Sequence, residues 1–436
     1  MFDVVIVGAG ICGMNLAKIL NEKTNKKICI LEKSNRVGGL IDTRFVNFDY
    51  KENDKKKKVK VKYENGGAVV FGYQKNMKKL IKELGVNTMT MPLDKKGRHQ
   101  KHYYDGEKRK KLLGSETTDK YFNLVKKVFK HMDKMSDDEC RKLTFEQMCL
   151  QVLTFDETRF IEFCYGYAAE FRIANAVIAR KNIENELFNS KEMYFFTKEN
   201  QTDKNYGYIE VINSLRDKIK DNVPIKLKTE VISFTESNNV VSLTLKNKEV
   251  IKTKKVVFAI PKEALQKLCS SFTTEEFKLF DSVDSSSLTR IFAKYDLNKN
   301  PWIKDMEFST VNNPIRQIIP KRNLLKKNIG FLQISYSDWY FADYWGSLNM
   351  DSTKVILKNL LTEAIHKKPT DPDWIKKTHW KNAVHFWKPN INEKKLNKRI
   401  MKLRNNVLIG GESFSLNQGW CEGAVQSSIQ LSKILI

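Results

Sequence analysis

Apolar and polar positions along the chain predict sheet-forming segments separated by insertions. Residues 3–7 are a short β-branched run, residues 11–20 carry apolar side chains at helical spacing, and residues 27–31 return to a strand-like run. That succession is a β-α-β unit. Residues 43–49 and 59–64 read as two more strands, and the lysine run 55–58 between them reads as a charged loop tip. The amphipathic stretch 77–84, stopped by Gly85, closes a first segment, 1–86. Residues 87–204 change to mostly helical periodicity, clearest over 121–135 and 157–179. The sheet pattern resumes over 205–265, with a helix at 209–219 and strands at 225–234, 240–245 and 256–260, the last ended by Pro261. A mixed segment, 266–394, follows, with strands at 289–294 and 330–335 and a helix at 353–366. The final segment, 395–436, has a strand at 406–409, a glycine turn and a helix at 423–434, and no tandem repeat appears.

With 436 residues, the chain is long enough for two to three domain-sized cores. No apolar run approaches the roughly 20 residues of a membrane-spanning helix, and the first strand follows Met1 directly, leaving no room for a signal peptide. The seven cysteines are scattered, with no C-x-x-C pair and no metal-ligand spacing. A soluble, cytoplasmic protein without a metal is expected. The net charge of +26 comes overwhelmingly from lysine. Spread over a solvated surface, it implies solubility and weak polyanion affinity; concentrated, it would imply a nucleic-acid partner.

The sharpest local signal is Gly8-Ala9-Gly10-Ile11-Cys12-Gly13, placed where a strand ends and a helix begins, with Glu32 closing the next strand. Gly8 permits the tight turn, Gly10 lets a pyrophosphate approach the backbone, and Gly13 lets the helix pack closely. The helix N-terminus offers N–H donors to phosphate, and Glu32 accepts from ribose hydroxyls. At this point FAD and NAD both fit, on a Rossmann-like α/β domain.

Three further blocks resemble one family. Leu31-Glu32-Lys33-Ser34-Asn35-Arg36-Val37-Gly38-Gly39 is similar to its E-x-x-x-R-x-G-G signature. Val256-Val257-Phe258-Ala259-Ile260-Pro261 resembles its strand ending in Ala-x-Pro. Gly410-Gly411-Glu412, followed by Gly419-Trp420-Cys421-Glu422-Gly423-Ala424-Val425, resembles its C-terminal G-G-E/T and G-(Y/W)-x-E-G-A-V. The family is the flavin-containing amine oxidases, and the blocks stand in its order. The resemblance implies an FAD-binding domain built from segments 1–86, 205–265 and 395–436, interleaved with an α+β substrate domain from 87–204 and 266–394. It implies Arg36 on the pyrophosphate, with Lys33 in the same segment. Gly38 and Gly39 would lie beside the flavin, and the main chain of Val231 on adenine. Gly411 and Glu412 would meet the ribitol, while Gly419, Trp420 and Ala424 would meet the isoalloxazine. No cysteine stands where some members attach the flavin, so FAD is expected to be noncovalent.

The same resemblance implies an activity: a hydride leaves the carbon next to an amine nitrogen for flavin N5, and dioxygen reoxidises the flavin. Trp420 matches one of the two rings that sandwich the amine. The other is expected from His385-Phe386-Trp387, with Trp387 favoured. Arg290, in Ser287-Leu288-Thr289-Arg290-Ile291, stands where the family carries a lysine near N5. Arginine stays charged and holds planar anions, which would make the site friendlier to carboxylates than to a polyamine, and a small-molecule substrate such as an amine or an amino acid is expected, with dioxygen. Amino-acid oxidases, porphyrinogen or carotenoid oxidases and sugar-nucleotide mutases share the N-terminal signatures, whereas the C-terminal block favours amine oxidase. A different class, prompted by the charge, is an FAD-bound basic protein with a structural or nucleic-acid-associated role.

Overall fold

The computed structural model describes residues 1–53, 55–92, 102–105, 108–111, 116–196 and 206–436. Parallel strands Ile225–Lys226, Ile28–Leu31, Phe2–Val7, Val250–Phe258 and Val407–Ile409 form one part of a seven-stranded sheet. Val240–Leu245 and Val231–Ser237 continue it as an antiparallel meander. Residues from both ends and the middle of the chain therefore share one ladder. Both faces of the central strand are buried, as a parallel sheet requires. Val4 and Ile6 pack with Leu16, Val211 and Leu431 on the helical face, while Val5 and Val7 pack with Val125, Phe171 and Phe258 on the other. Each fully buried side chain of this size contributes about 1.5–3 kcal/mol.

The helical region is more broken than its periodicity predicts. After helix Glu116–Met132, the chain makes short helices, Asp137–Arg141, Phe145–Leu150, Phe155–Tyr165, Ala169–Arg172 and Ala176–Glu184. Capping boxes explain the interruptions. Ser136 with Glu139, Thr144 with Gln147 and Thr154 with Glu157 each satisfy N-terminal N–H groups reciprocally, and Gly166, at φ +94°, ends the third.

A second, antiparallel sheet runs in the order Trp374–Trp387, Val283–Asp296, Ile329–Asp338, Gln317–Pro320 and Ser309–Val311, extended by His102–Asp105 and Lys108–Lys111. The hairpin Thr43–Glu52 and Lys55–Glu64 packs against it through Phe48, Val61 and Tyr63 on Phe292 and Phe331. The lysine run 55–58 is thus not a loop tip. Its pairing with residues 49–52 carries the antiparallel ladder to the end of the hairpin, leaving the four lysines exposed. Among the described residues no helix is long and apolar enough to cross a membrane.

Distant segments are also joined by charge. Arg141 grips Glu393 through Nε at 2.8 Å and Nη2 at 2.9 Å, with both side chains almost fully buried. Replacing Glu393 by alanine leaves a buried guanidinium whose remaining partners, Asp137 and Asp138, are solvent-exposed. The Glu393→Ala protein is expected to lose about 3 kcal/mol of stability. Chemical denaturation checks this, and a loss below about 0.5 kcal/mol, the scale of an ordinary surface change, would contradict it.

Candidate active site

The two sheets enclose a cavity of about 1850 Å³. One ligand pocket commonly occupies roughly 300–1,000 Å³, so a dinucleotide and a second molecule fit together. Of the residues given a cofactor- or substrate-site role in the sequence, all but Gly13, Phe386 and Trp387 line it.

The glycine turns shape one end. Gly8 has φ +108°, and a Cβ there would sit 2.5 Å from the Ala259 carbonyl oxygen. At Gly13 a Cβ would meet the Gly8 carbonyl oxygen at 2.1 Å, so this glycine serves helix packing beneath the cavity. Gly10 caps helix Ile11–Lys23 without a side-chain hydrogen bond, and its first turn carries no acidic residue. A Cβ on Gly10 would meet nothing within 4 Å, so the backbone faces open cavity. Opposite stands Gly39, at φ +56°.

Glu32 accepts from the Ala9 N–H at 2.9 Å and the Ser34 N–H at 2.8 Å, which fixes its carboxylate at the rim. Lys33 is exposed at the same rim. The Thr229 N–H donates to the Glu32 carbonyl at 2.8 Å, drawing the chain that carries Val231 alongside. Arg36 donates to the carbonyls of Val37, Ile41 and Gly39, so its guanidinium braces the Gly38–Gly39 loop.

At the other end, Gly411, at φ +116°, turns the chain after strand Val407–Ile409 and presents Glu412. Glu412 Oε1 accepts from the backbone N–H groups of His385 at 3.0 Å and Gly419 at 2.7 Å, and Oε2 lies 2.8 Å from His385 Nδ1. Glu263 takes the other ring nitrogen at 3.1 Å. Burial alone would push the His385 imidazole down, but Glu412 and Glu263 together raise it to about 9. Burial would raise the Glu263 carboxyl, but its hydrogen bond to His385 holds it down at about 2. His385 lines the cavity with both ring nitrogens already in contact with carboxylates. Glu263, which the sequence reading passed over, lies two residues after the Ala-x-Pro block.

Trp420 caps helix Cys421–Leu435 and sets its ring edge-to-face on Phe71 at 5.1 Å. Its indole N–H is buried without an acceptor among the described residues. Ala424 lines the cavity one turn into the same helix. Glu422 points elsewhere, accepting from the Asn76 and Met77 N–H groups to cap helix Lys75–Glu83.

Trp387 does not supply a second ring. It is fully buried beneath the 413–418 loop, where its indole N–H donates to the Ser415 carbonyl at 2.8 Å and its ring packs on Phe414. Arg290, by contrast, faces the cavity from strand Val283–Asp296.

The family model for flavin containing amine oxidoreductases matches residues 11–436. The chain belongs to this family. Curated relatives similar in sequence include amine oxidase [flavin-containing] A of Sus scrofa, 39% identical over 89 residues, and amine oxidase [flavin-containing] of Oncorhynchus mykiss, 38% identical over 88 residues. These matches cover 20% of this chain and 14% and 15% of the relatives, a small fraction of their length. Similar solved structures include putrescine oxidase bound to putrescine, with TM-score 0.77, 14% identity and coverage of 100% of this chain and 98% of that one. Cyclohexylamine oxidase from Brevibacterium oxydans IH-35A gives TM-score 0.74 at 15% identity, covering 100% and 99%. These likenesses establish the fold. The family's cofactor, FAD, fits the residues present: an uncapped helix N-terminus behind an open glycine, an acid at the ribose end, and an unsatisfied indole N–H at the far end.

The charged knot at His385 yields a pH signature. Its folded value lies above the ordinary 6.5, so its contribution to stability is fully present below about pH 6.5 and fades as the pH rises through about 9. Glu263 acts oppositely: its contribution is present above its ordinary 4.5 and is lost as the pH falls through about 2. Histidine nitrogen NMR is expected to show His385 doubly protonated at neutral pH, and a neutral ring there would contradict the assignment. His385→Asn, which leaves two carboxylates facing each other, is expected to cost on the order of 3 kcal/mol.

Proposed function

We propose that the protein is an FAD-dependent oxidase of a small amine, with FAD held noncovalently and dioxygen as electron acceptor. The observation that carries this reading is that one cavity holds both a dinucleotide cradle and, at its far end, Trp420 beside a helix N-terminus. When bound, FAD supplies the acceptor for a hydride from the carbon next to the amine nitrogen.

The chain's own part is binding and orientation. Glu32, fixed by two backbone N–H groups, holds the adenosine ribose, and the uncapped N-terminus of Ile11–Lys23 neutralises phosphate charge. Glu412 keeps acceptor capacity beyond its three contacts, and the imidazolium of His385 fixes where that capacity points. The N-terminal end of Cys421–Leu435 would offer positive partial charge to the ring system of a bound flavin. Trp420 gives the amine an apolar wall and restricts its approach. With Trp387 in the core, the facing wall comes from other cavity-lining rings, among them Tyr167 and Tyr336.

Two variants separate cofactor binding from chemistry. Gly10→Val fills the phosphate approach and is expected to yield folded, colourless protein. Trp420→Ala is expected to retain flavin but to be bleached by amines at least about tenfold more slowly, a loss of roughly 1.4 kcal/mol of orientation. Anaerobic mixing with a panel of primary amines, followed by peroxide measurement on readmitting air, checks both. Flavin that no amine bleaches would overturn the oxidase reading.

A further inference from the structure

The wall of the cavity formed by the antiparallel sheet carries a group of donors that the reading above does not use. Arg290 and Gln333 are each more than nine-tenths buried. The guanidinium lies over the Tyr336 ring, with Cζ 4.3 Å from its centroid, and Nη1 donates to Gln333 Oε1 at 3.0 Å. That bond consumes the only acceptor of the pair. Arg290 Nε and Gln333 Nε2 then remain buried with no acceptor among the described residues. Both residues line the cavity, as does half-buried Lys321, which follows strand Gln317–Pro320. Burial, with the nearby charges of Lys62 and Arg290, pushes the Lys321 ammonium down to about 8.

Three kinds of donor thus converge on one wall: a guanidinium edge, an amide N–H2 and an ammonium. Lys62 is compensated separately by Glu64, at 3.3 Å. Leaving buried donors without acceptors is costly, so a ligand that satisfies them is favoured over one that cannot. A planar anion is the complement of such a set, because the guanidinium edge matches the two oxygens of a carboxylate. The Tyr336 ring against the guanidinium holds its edge towards the cavity.

We infer that Arg290, Gln333 and Lys321 form a carboxylate subsite, so that the amine oxidised here also bears a carboxylate, as an amino acid does. The inference rests on the oxidase reading for the reaction and on these three side chains for the anion. It makes Arg290 a specificity-determining residue.

The test uses FAD-loaded protein and two probe pairs. Calorimetry compares benzoate with the neutral benzamide, and anaerobic bleaching compares phenylalanine, in both enantiomers, with phenethylamine. Benzoate is expected to bind about tenfold or more tighter than benzamide, and one phenylalanine enantiomer is expected to bleach at a lower half-saturating concentration than phenethylamine. Arg290→Met is expected to abolish both preferences, Arg290→Lys to keep part of them, and Gln333→Met to weaken them with flavin content unchanged. Should Arg290→Met fail to fold, the wild-type comparison and Gln333→Met still decide. Equal binding of benzoate and benzamide, together with faster bleaching by phenethylamine, overturns the subsite and leaves the oxidase reading standing. Loss of FAD from Arg290→Met or Gln333→Met protein of unchanged melting temperature assigns the donors to the cofactor and overturns it too. Bleaching by no amine or amino acid, with benzoate still preferred, fails the oxidase reading but keeps the anion site.

Discussion

A charged imidazole clasped between two carboxylates is the interaction on which the far end of the cavity depends. His385 comes from the antiparallel sheet, Glu412 from the turn after the last parallel strand, and Glu263 from the helix behind the Ala-x-Pro block. Each would be costly to bury alone, and the triad is tolerable because every charge has an opposite neighbour within hydrogen-bonding distance. Glu412 also accepts the Gly419 N–H, so the same knot sets the entry of the chain to Trp420. Sheet, turn and helix are held in register by one buried charge.

The opposite end is governed by the absence of side chains. Ala259 and Gly8 carbonyls crowd the positions where Cβ atoms of Gly8 and Gly13 would lie, whereas Gly10 opens onto cavity. Close backbone packing and ligand access are therefore divided among glycines five residues apart at most. The two ends belong to different solutions of one problem, holding a long polar ligand in a largely apolar space: backbone donors at one, compensated charges at the other.

Much of the fold was legible because its signals are local. The strand, glycine turn and helix at residues 2–23 follow from periodicity and steric demand, and the order of the later blocks points to one cavity. Trp387 differs from the expectation because it ends its strand, beyond the stretch that meets the cavity, where the 413–418 loop covers its ring. Its partner, the Ser415 carbonyl, is brought near only by tertiary folding. Glu263, Gln333 and Lys321 carried no signal of their own, since an isolated acid, amide or lysine has a role only once sheets from distant segments converge. The helical region broke where Ser136, Thr144 and Thr154 cap, a signal present in the sequence but masked by continuous apolar periodicity.

A crystal structure of the protein grown with FAD and an amine-bearing ligand tests the shared cavity most directly. Continuous dinucleotide density from Glu32 past Gly10 to Glu412, with the second molecule between Trp420 and the Arg290 wall, is the predicted result. FAD density confined elsewhere, or a ligand bound away from Trp420, would contradict it.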